Sequence, residues 1–186
     1  MVEGRFTDVV AVTVALLPLA ALAVWALARC RPWVRGLAEV GMVYGTAPWV
    51  WMILLPGGRA GEVRGRISLV PLRDLVTIVA DGGAATATVQ IVANLLVFAA
   101  LGFFAPMRFA ALASVPRVLM LAAGCSVLVE AAQFALRLDR VSSVDDVLLN
   151  AAGAGLAALA SRRWWRRPDR PVEQLVAGAC PGSSGG

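Results

Sequence analysis

The stretch VLMLAAGCSVLVEAAQFAL RLDRVSS VDDVLLNAAGAGLAALA, residues 118–160, reads as two apolar segments parted by a short polar turn. A bilayer's hydrocarbon core is about 30 Å thick and needs about 20 residues of helix rising about 1.5 Å each. Val118–Leu136 meets that length, and Val144–Ala160 reaches it with Ser143 and Ser161 at its ends. Three more such stretches precede the pair, at Phe6–Ala28, Leu37–Pro56 and Thr88–Ala105. The expected fold is therefore all-α: a polytopic membrane helix bundle of about five transmembrane helices filling residues 1–167. Residues 168–186, rich in Pro, Gly and Ser, are expected to form a disordered cytoplasmic tail.

Composition agrees with a lipid-facing exterior. Of 186 residues 59% are hydrophobic, more apolar surface than a soluble domain of this size could hide. The net charge of +5 comes from arginine, with no lysine. The positive-inside rule accounts for that excess without a nucleic-acid partner, and none is expected. The absence of histidine removes Ser-His-Asp and Cys-His catalysis and histidine metal ligation. Cys30, Cys125 and Cys180 stand far apart and suggest no disulfide framework.

Alternating the loops places ten arginines on one side of the membrane and seven on the other. The dense clusters RCRPWVR and RRWWRR fall on the first side. The expected orientation in the cell membrane is N-terminus outside, C-terminus cytoplasmic. Ala26-Leu27-Ala28 has the form of a signal-peptidase site, yet the acidic leader (Glu3, Asp8) and the long apolar run read as a retained helix. The external connection Gly57–Ala87 holds ISLVPLRDLVTIVA, too short to span. It reads as an interfacial segment or a short re-entrant helix starting near Pro71.

Polar residues inside apolar helices are costly and call for individual explanation. Glu130 and Gln133 lie three apart on one helix face, with Arg137 expected on that face seven after Glu130. Ser143 and Asp146 resemble a capping box with Asp in place of Glu, and Asp145 and Asp146 face the positive end of a helix dipole. Asp146, Asn150 and Gly153 share a face. Gln90 and Asn94 occupy the outer half of the third segment, and Arg140 sits at the mouth. Glu39, near the inner end of the second segment, is expected to pair with Arg35. Any one of these residues could merely join helices. The informative feature is convergence, since three helices and one loop supply polar groups at a single depth.

In this order the residues resemble the VanZ-like family of bacterial integral membrane proteins. The resemblance runs over about residues 68–160 and rests on Asn94, Phe98 and Gly102, then Glu130, Gln133, Arg140, Asp145, Asp146, Asn150, Gly153 and Gly155. Two positions depart from the family pattern: Ser68-Leu69-Val70-Pro71-Leu72 lacks an asparagine and an aromatic, and Ala100 replaces a proline. The resemblance implies a cell-envelope role, with low-level resistance to the lipoglycopeptide teicoplanin known for the founding member. The expected ligand-binding residues are Asn94, Glu130, Gln133, Arg140, Asp145, Asp146 and Asn150. The expected partners are a membrane lipid, a lipid-linked cell-wall precursor or a lipoglycopeptide, with Arg137 and Arg140 against phosphate or carboxylate. An alternative is a membrane enzyme acting on a lipid-linked phosphate. There Glu130, Asp145 and Asp146 are the catalytic candidates, and the Asp145/Asp146 pair is the single candidate for holding Mg²⁺. No cofactor is otherwise expected. A proton-coupled carrier fits less well, because no internal repeat is visible.

Overall fold

The computed structural model describes residues 2–30, 32–58, 60–62, 66–139 and 141–165. Helix α1 (Val2–Ala15) and helix α2 (Leu17–Cys30) form one rod, because Leu16 N donates to Val12 O at 3.0 Å and Ala20 N to Leu16 O at 2.9 Å. Pro18 brings no N–H to this stretch, which accounts for the local break. Helix α3 (Trp33–Ile53) returns beside the rod and runs through Pro48 without interruption. It begins four residues before the expected start at Leu37, drawing Arg35 into its first turn.

Helix α4 (Arg73–Val97) and helix α5 (Ala99–Arg108), joined through Phe98, form an apolar stretch of 36 residues. At about 1.5 Å per residue that would reach far beyond a bilayer core. The chain resolves the excess by turning at Gly83, whose φ of 75° and ψ of 168° lie outside the helical region. A side chain is rarely tolerated there, and glycine has none. The arm Arg73–Gly82 thus stands apart from the crossing part of α4. It matches the expected short helix near Pro71, two residues later in register.

Helix α6 (Val115–Ala135) and helix α7 (Val144–Ala160) complete the bundle, followed by one turn, α8 (Arg162–Trp165). A feature not foreseen from the sequence is a parallel strand pair. Strand β1 (Arg66–Ser68) lies beside strand β2 (Val141–Ser143), with Ser68 opposite Ser143. It ties the entry of α4 to the entry of α7.

Among the described residues three helical stretches are long and apolar enough to cross a membrane: Thr7–Cys30, Arg73–Arg108 and Val115–Ala135. Two of the five expected spans, α3 and α7, fall outside that set. Helix α7 is 17 residues long, and α3 carries Glu39 among glycines and tryptophans. Position bears on α7, which packs one face against α4, α5 and α6 and leaves Leu148, Leu156 and Leu159 exposed on the other. The core lies at these contacts and comprises Val97, Phe98, Val118, Ala122, Ala154 and Ala158. Large apolar side chains such as Val89, Met120, Leu128 and Leu156 point outward and are exposed, as lipid-facing surfaces require.

Small residues set how closely α7 approaches. A Cβ built on Gly153 would lie 1.9 Å from Leu95 O, and one on Gly102 would lie 2.1 Å from Ala154 O. Backbone meets backbone at both crossings, so neither neighbour can yield. The far end of the bundle is pinned differently. Glu39 takes Arg108 from α5 at 2.5 Å, a bond between helices in place of the expected Arg35 partner on its own helix. Arg29 over Trp25, Arg108 over Phe109 and Arg163 over Trp164 place three cation–π pairs at that same end.

Gly153→Ala and Gly102→Ala should each lower stability by about 1–3 kcal/mol, the usual cost of overpacking. Gly124→Ala, where no atom lies within 4 Å of the added Cβ, should be neutral or stabilising by about 0.5–1 kcal/mol. Denaturant unfolding in detergent micelles checks the ordering. Equal effects at all three positions would refute the close-crossing account.

Candidate functional site

The polar side chains gather where α7 begins. Ser143 is its N-cap, in extended conformation, and Ser143 Oγ accepts from Asp145 N at 3.2 Å. The reciprocal half of the expected capping box is not made. Ser143 N donates instead to Glu130 Oε2 at 3.1 Å, and Asp146 accepts from Asn94 Nδ2. Ser143 Oγ also donates to Asp74 Oδ2 on the arm of α4. One short strand-to-helix junction therefore joins α4, α6 and α7.

Asp145 has a different task from its neighbour. It is 2% exposed, and its carboxylate accepts from Leu72 N at 2.5 Å, Asp74 N at 3.2 Å and Leu75 N at 3.3 Å. Those are first-turn donors of α4, which have no partner within their own helix. Leu72 sits at the N-cap in left-handed conformation, φ 66°, and offers no side-chain acceptor. Asp145 supplies the missing cap from 70 to 73 positions away. The carboxylates of Asp145 and Asp146 are thus committed to different partners and do not form a chelating pair. Among the described residues no group of three His, Cys, Asp or Glu is arranged to hold a metal ion.

The other expected residues meet around one cavity of about 580 Å³. Asn94, Glu130, Gln133, Asp146 and Asn150 all line it, drawn from α4, α6 and α7. Gln133, 7% exposed, donates from Nε2 to Ile53 O at 2.8 Å, which satisfies a carbonyl at the C-terminal end of α3. Asn150, 3% exposed, donates from Nδ2 to Ser126 Oγ at 2.8 Å. The arm of α4 forms another wall, through Asp74, Thr77 and Ile78, and Gln90 and Ala93 further along the same helix line the cavity too. Met52, Ile53 and Leu55 close the side toward α3.

Neither expected arginine is among the described residues of the wall. Arg140 lies outside the described residues. Arg137 is exposed and not part of the cavity wall, because α6 ends at Ala135 and Arg137 adopts φ 50°. The seven-residue helical spacing from Glu130 is broken before it is complete. Residues the sequence reading missed are Asp74, Thr77 and Ser143. Asp74 was the detectable one: an acid in an otherwise apolar arm invites the same question as Glu130.

Among the described residues the wall offers three carboxylates, from Asp74, Glu130 and Asp146, and four carboxamides, from Gln90, Asn94, Gln133 and Asn150. Such a lining binds by hydrogen bonds and fixes orientation, while the flanking apolar groups exclude water.

Asp145→Ala should cost about 1–3 kcal/mol, since it leaves buried N–H groups unpaired. Hydrogen exchange at the amides of Leu72, Asp74 and Leu75 should accelerate selectively, while Asp146→Asn leaves those amides protected. Uniform acceleration in both variants would contradict the capping role.

A sequence profile of the VanZ/LLP1 family matches residues 42–165, two thirds of the chain, so the protein belongs to that family. The matched region begins within α3, earlier than the expected start near residue 68, and so includes every helix that contributes to the cavity wall. No curated protein and no solved structure matches the chain.

Proposed function

We propose that this VanZ-like protein is a multi-pass cell-envelope membrane protein whose cavity opens outward and binds the polar head of an amphiphile. The candidate ligands are a lipid-linked wall precursor, a membrane lipid or a lipoglycopeptide, and such binding would contribute to teicoplanin-type resistance. The observation that carries this reading is the cavity: carboxylates and carboxamides from α4, α6 and α7 around about 580 Å³ at one end of an apolar bundle. Soluble ligands need no such neighbourhood. Ile67, Leu69, Val70 and Val76 beside the arm are exposed and apolar, which suits contact with the outer leaflet and an amphiphile arriving from it.

Charge supports the orientation, N-terminus outside and C-terminus cytoplasmic. Among the described residues Arg29, Arg35, Arg108, Arg117, Arg162 and Arg163 mark the end away from the cavity, against Arg5, Arg66, Arg73 and Arg137 toward it. The positive-inside rule then favours a cavity on the outer side. The enzymatic alternative, with Glu130 as acid–base group and the aspartate pair on Mg²⁺, has less support because Asp145 is occupied by three backbone donors.

Purified protein in nanodiscs should bind lipid-linked wall precursor or teicoplanin saturably, and Glu130→Ala should weaken binding about tenfold, a loss of about 1.4 kcal/mol. Absence of binding up to millimolar ligand would overturn the proposal.

A further inference from the structure

A second cavity, of about 550 Å³, lies between the α1–α2 rod and α3 and shares no lining residue with the polar one. Leu16, Ala20 and Ala23 line it from the rod, and Val40, Val43 and Ala47 from α3. The way the two helices meet accounts for the opening. At one end they touch, since a Cβ built on Gly36 would lie 3.0 Å from Leu27 Cβ and 3.5 Å from Val24 O. Farther along, a whole tyrosine side chain is needed to join them, with Tyr44 Oη donating to Thr13 O. The helices thus diverge from Gly36 toward Tyr44, and alanine at 20, 23 and 47 leaves the gap unfilled. The rod belongs to the membrane-capable stretch Thr7–Cys30, and Leu16, Leu19 and Val43 are exposed along the groove.

Two observations bear on what fills it. The hydroxyls and the carboxylate of the wall are already engaged. Thr13 Oγ1 donates to Val9 O at 2.7 Å, Tyr44 Oη donates to Thr13 O, and Glu39 is paired with Arg108. Between those groups the surface is hydrocarbon, so a polar head gains nothing by entering. The second observation is width. From Glu39 to Trp51, the limits of the groove on α3, the helix advances about 18 Å. A volume of about 550 Å³ spread over that length leaves a cross-section of about 30 Å². A helix with its side chains is about 10–12 Å across, or about 80–110 Å². The groove is too narrow for a helix of a second copy and wide enough for one extended hydrocarbon chain. Its length also slightly exceeds one leaflet's share, about 15 Å, of a hydrocarbon core about 30 Å thick.

We infer that this groove holds a single acyl chain of a bilayer lipid. The inference is independent of the amphiphile-binding reading above, because the two sites have separate walls. Left empty, the groove would deprive its lining of contacts on one side, and a seated chain restores them. Bulk lipid is as apolar as the groove, so the preference comes from packing alone and is modest.

The test places the whole protein in nanodiscs of phosphatidylcholine carrying a diazirine in one acyl chain, and maps the photo-adducts by peptide. Residues 16–23 and 40–47 should be labelled about threefold more densely than residues 120–128 of α6, where Met120, Val127 and Leu128 are exposed. Ala47→Phe fills the groove, and should bring its labelling down to the level of α6 without lowering the thermal midpoint. If Ala47→Phe does not fold, Ala20→Leu fills the same space from the rod. Wild-type groove labelling no denser than that of α6, or dense labelling that survives a folded filling variant, would overturn the inference. An unlabelled groove in a protein that runs as a dimer would give the groove to a second copy and overturn it as well. None of these outcomes bears on the polar cavity, whose own ligand binding is measured separately.

Discussion

Inside a bilayer no water is at hand to satisfy a backbone N–H, and the fold answers this most visibly at the start of α7. Two helices begin side by side at that point, and each exposes the unpaired donors of its first turn. Asp145 satisfies the donors of α4, while Ser143 caps α7 and hands its own N–H to Glu130. Remove that exchange and the arm of α4 keeps only the short β1–β2 pair and the serine bonds to Asp74 to hold its entry. The cavity wall formed by Asp74, Thr77 and Ile78 would then be loosened as well.

A second constraint is distance. Gly102 and Gly153 let α7 touch the backbones of its neighbours, and this close approach brings Asp146 within reach of Asn94. The glycines and the polar groups are thus parts of one arrangement. Small residues supply proximity, and short side chains such as Ser, Asn and Asp can bridge only because the helices stand so close. The family match over residues 42–165 spans this unit from α3 to α8.

Much of this was legible from the residues. Apolar length marks Thr7–Cys30 and Val115–Ala135 as membrane-capable, and the depth of Asn94, Glu130, Gln133, Asp146 and Asn150 suggested one meeting point, where the structure brings all five to one cavity. What stayed hidden depended on partners distant in sequence. Asp145 reads locally as a helix-dipole residue, and nothing nearby reveals that it caps a helix beginning at Arg73. Periodicity placed Arg137 on the Glu130 face, but periodicity holds only while the helix lasts, and α6 stops at Ala135. The turn at Gly83 was visible only as a glycine pair. The parallel strands are three residues each, too short to show any alternation.

The account's central claim is that polar side chains from α4 and α7 meet directly at the cavity, and the Asn94–Asp146 hydrogen bond is its simplest instance. A double-mutant cycle with Asn94→Ala, Asp146→Ala and the double variant, read as unfolding free energy in micelles, measures that meeting. The predicted result is a coupling above about 0.5 kcal/mol, as expected of interhelical hydrogen bonds in membranes. Strict additivity of the two substitutions would contradict the account.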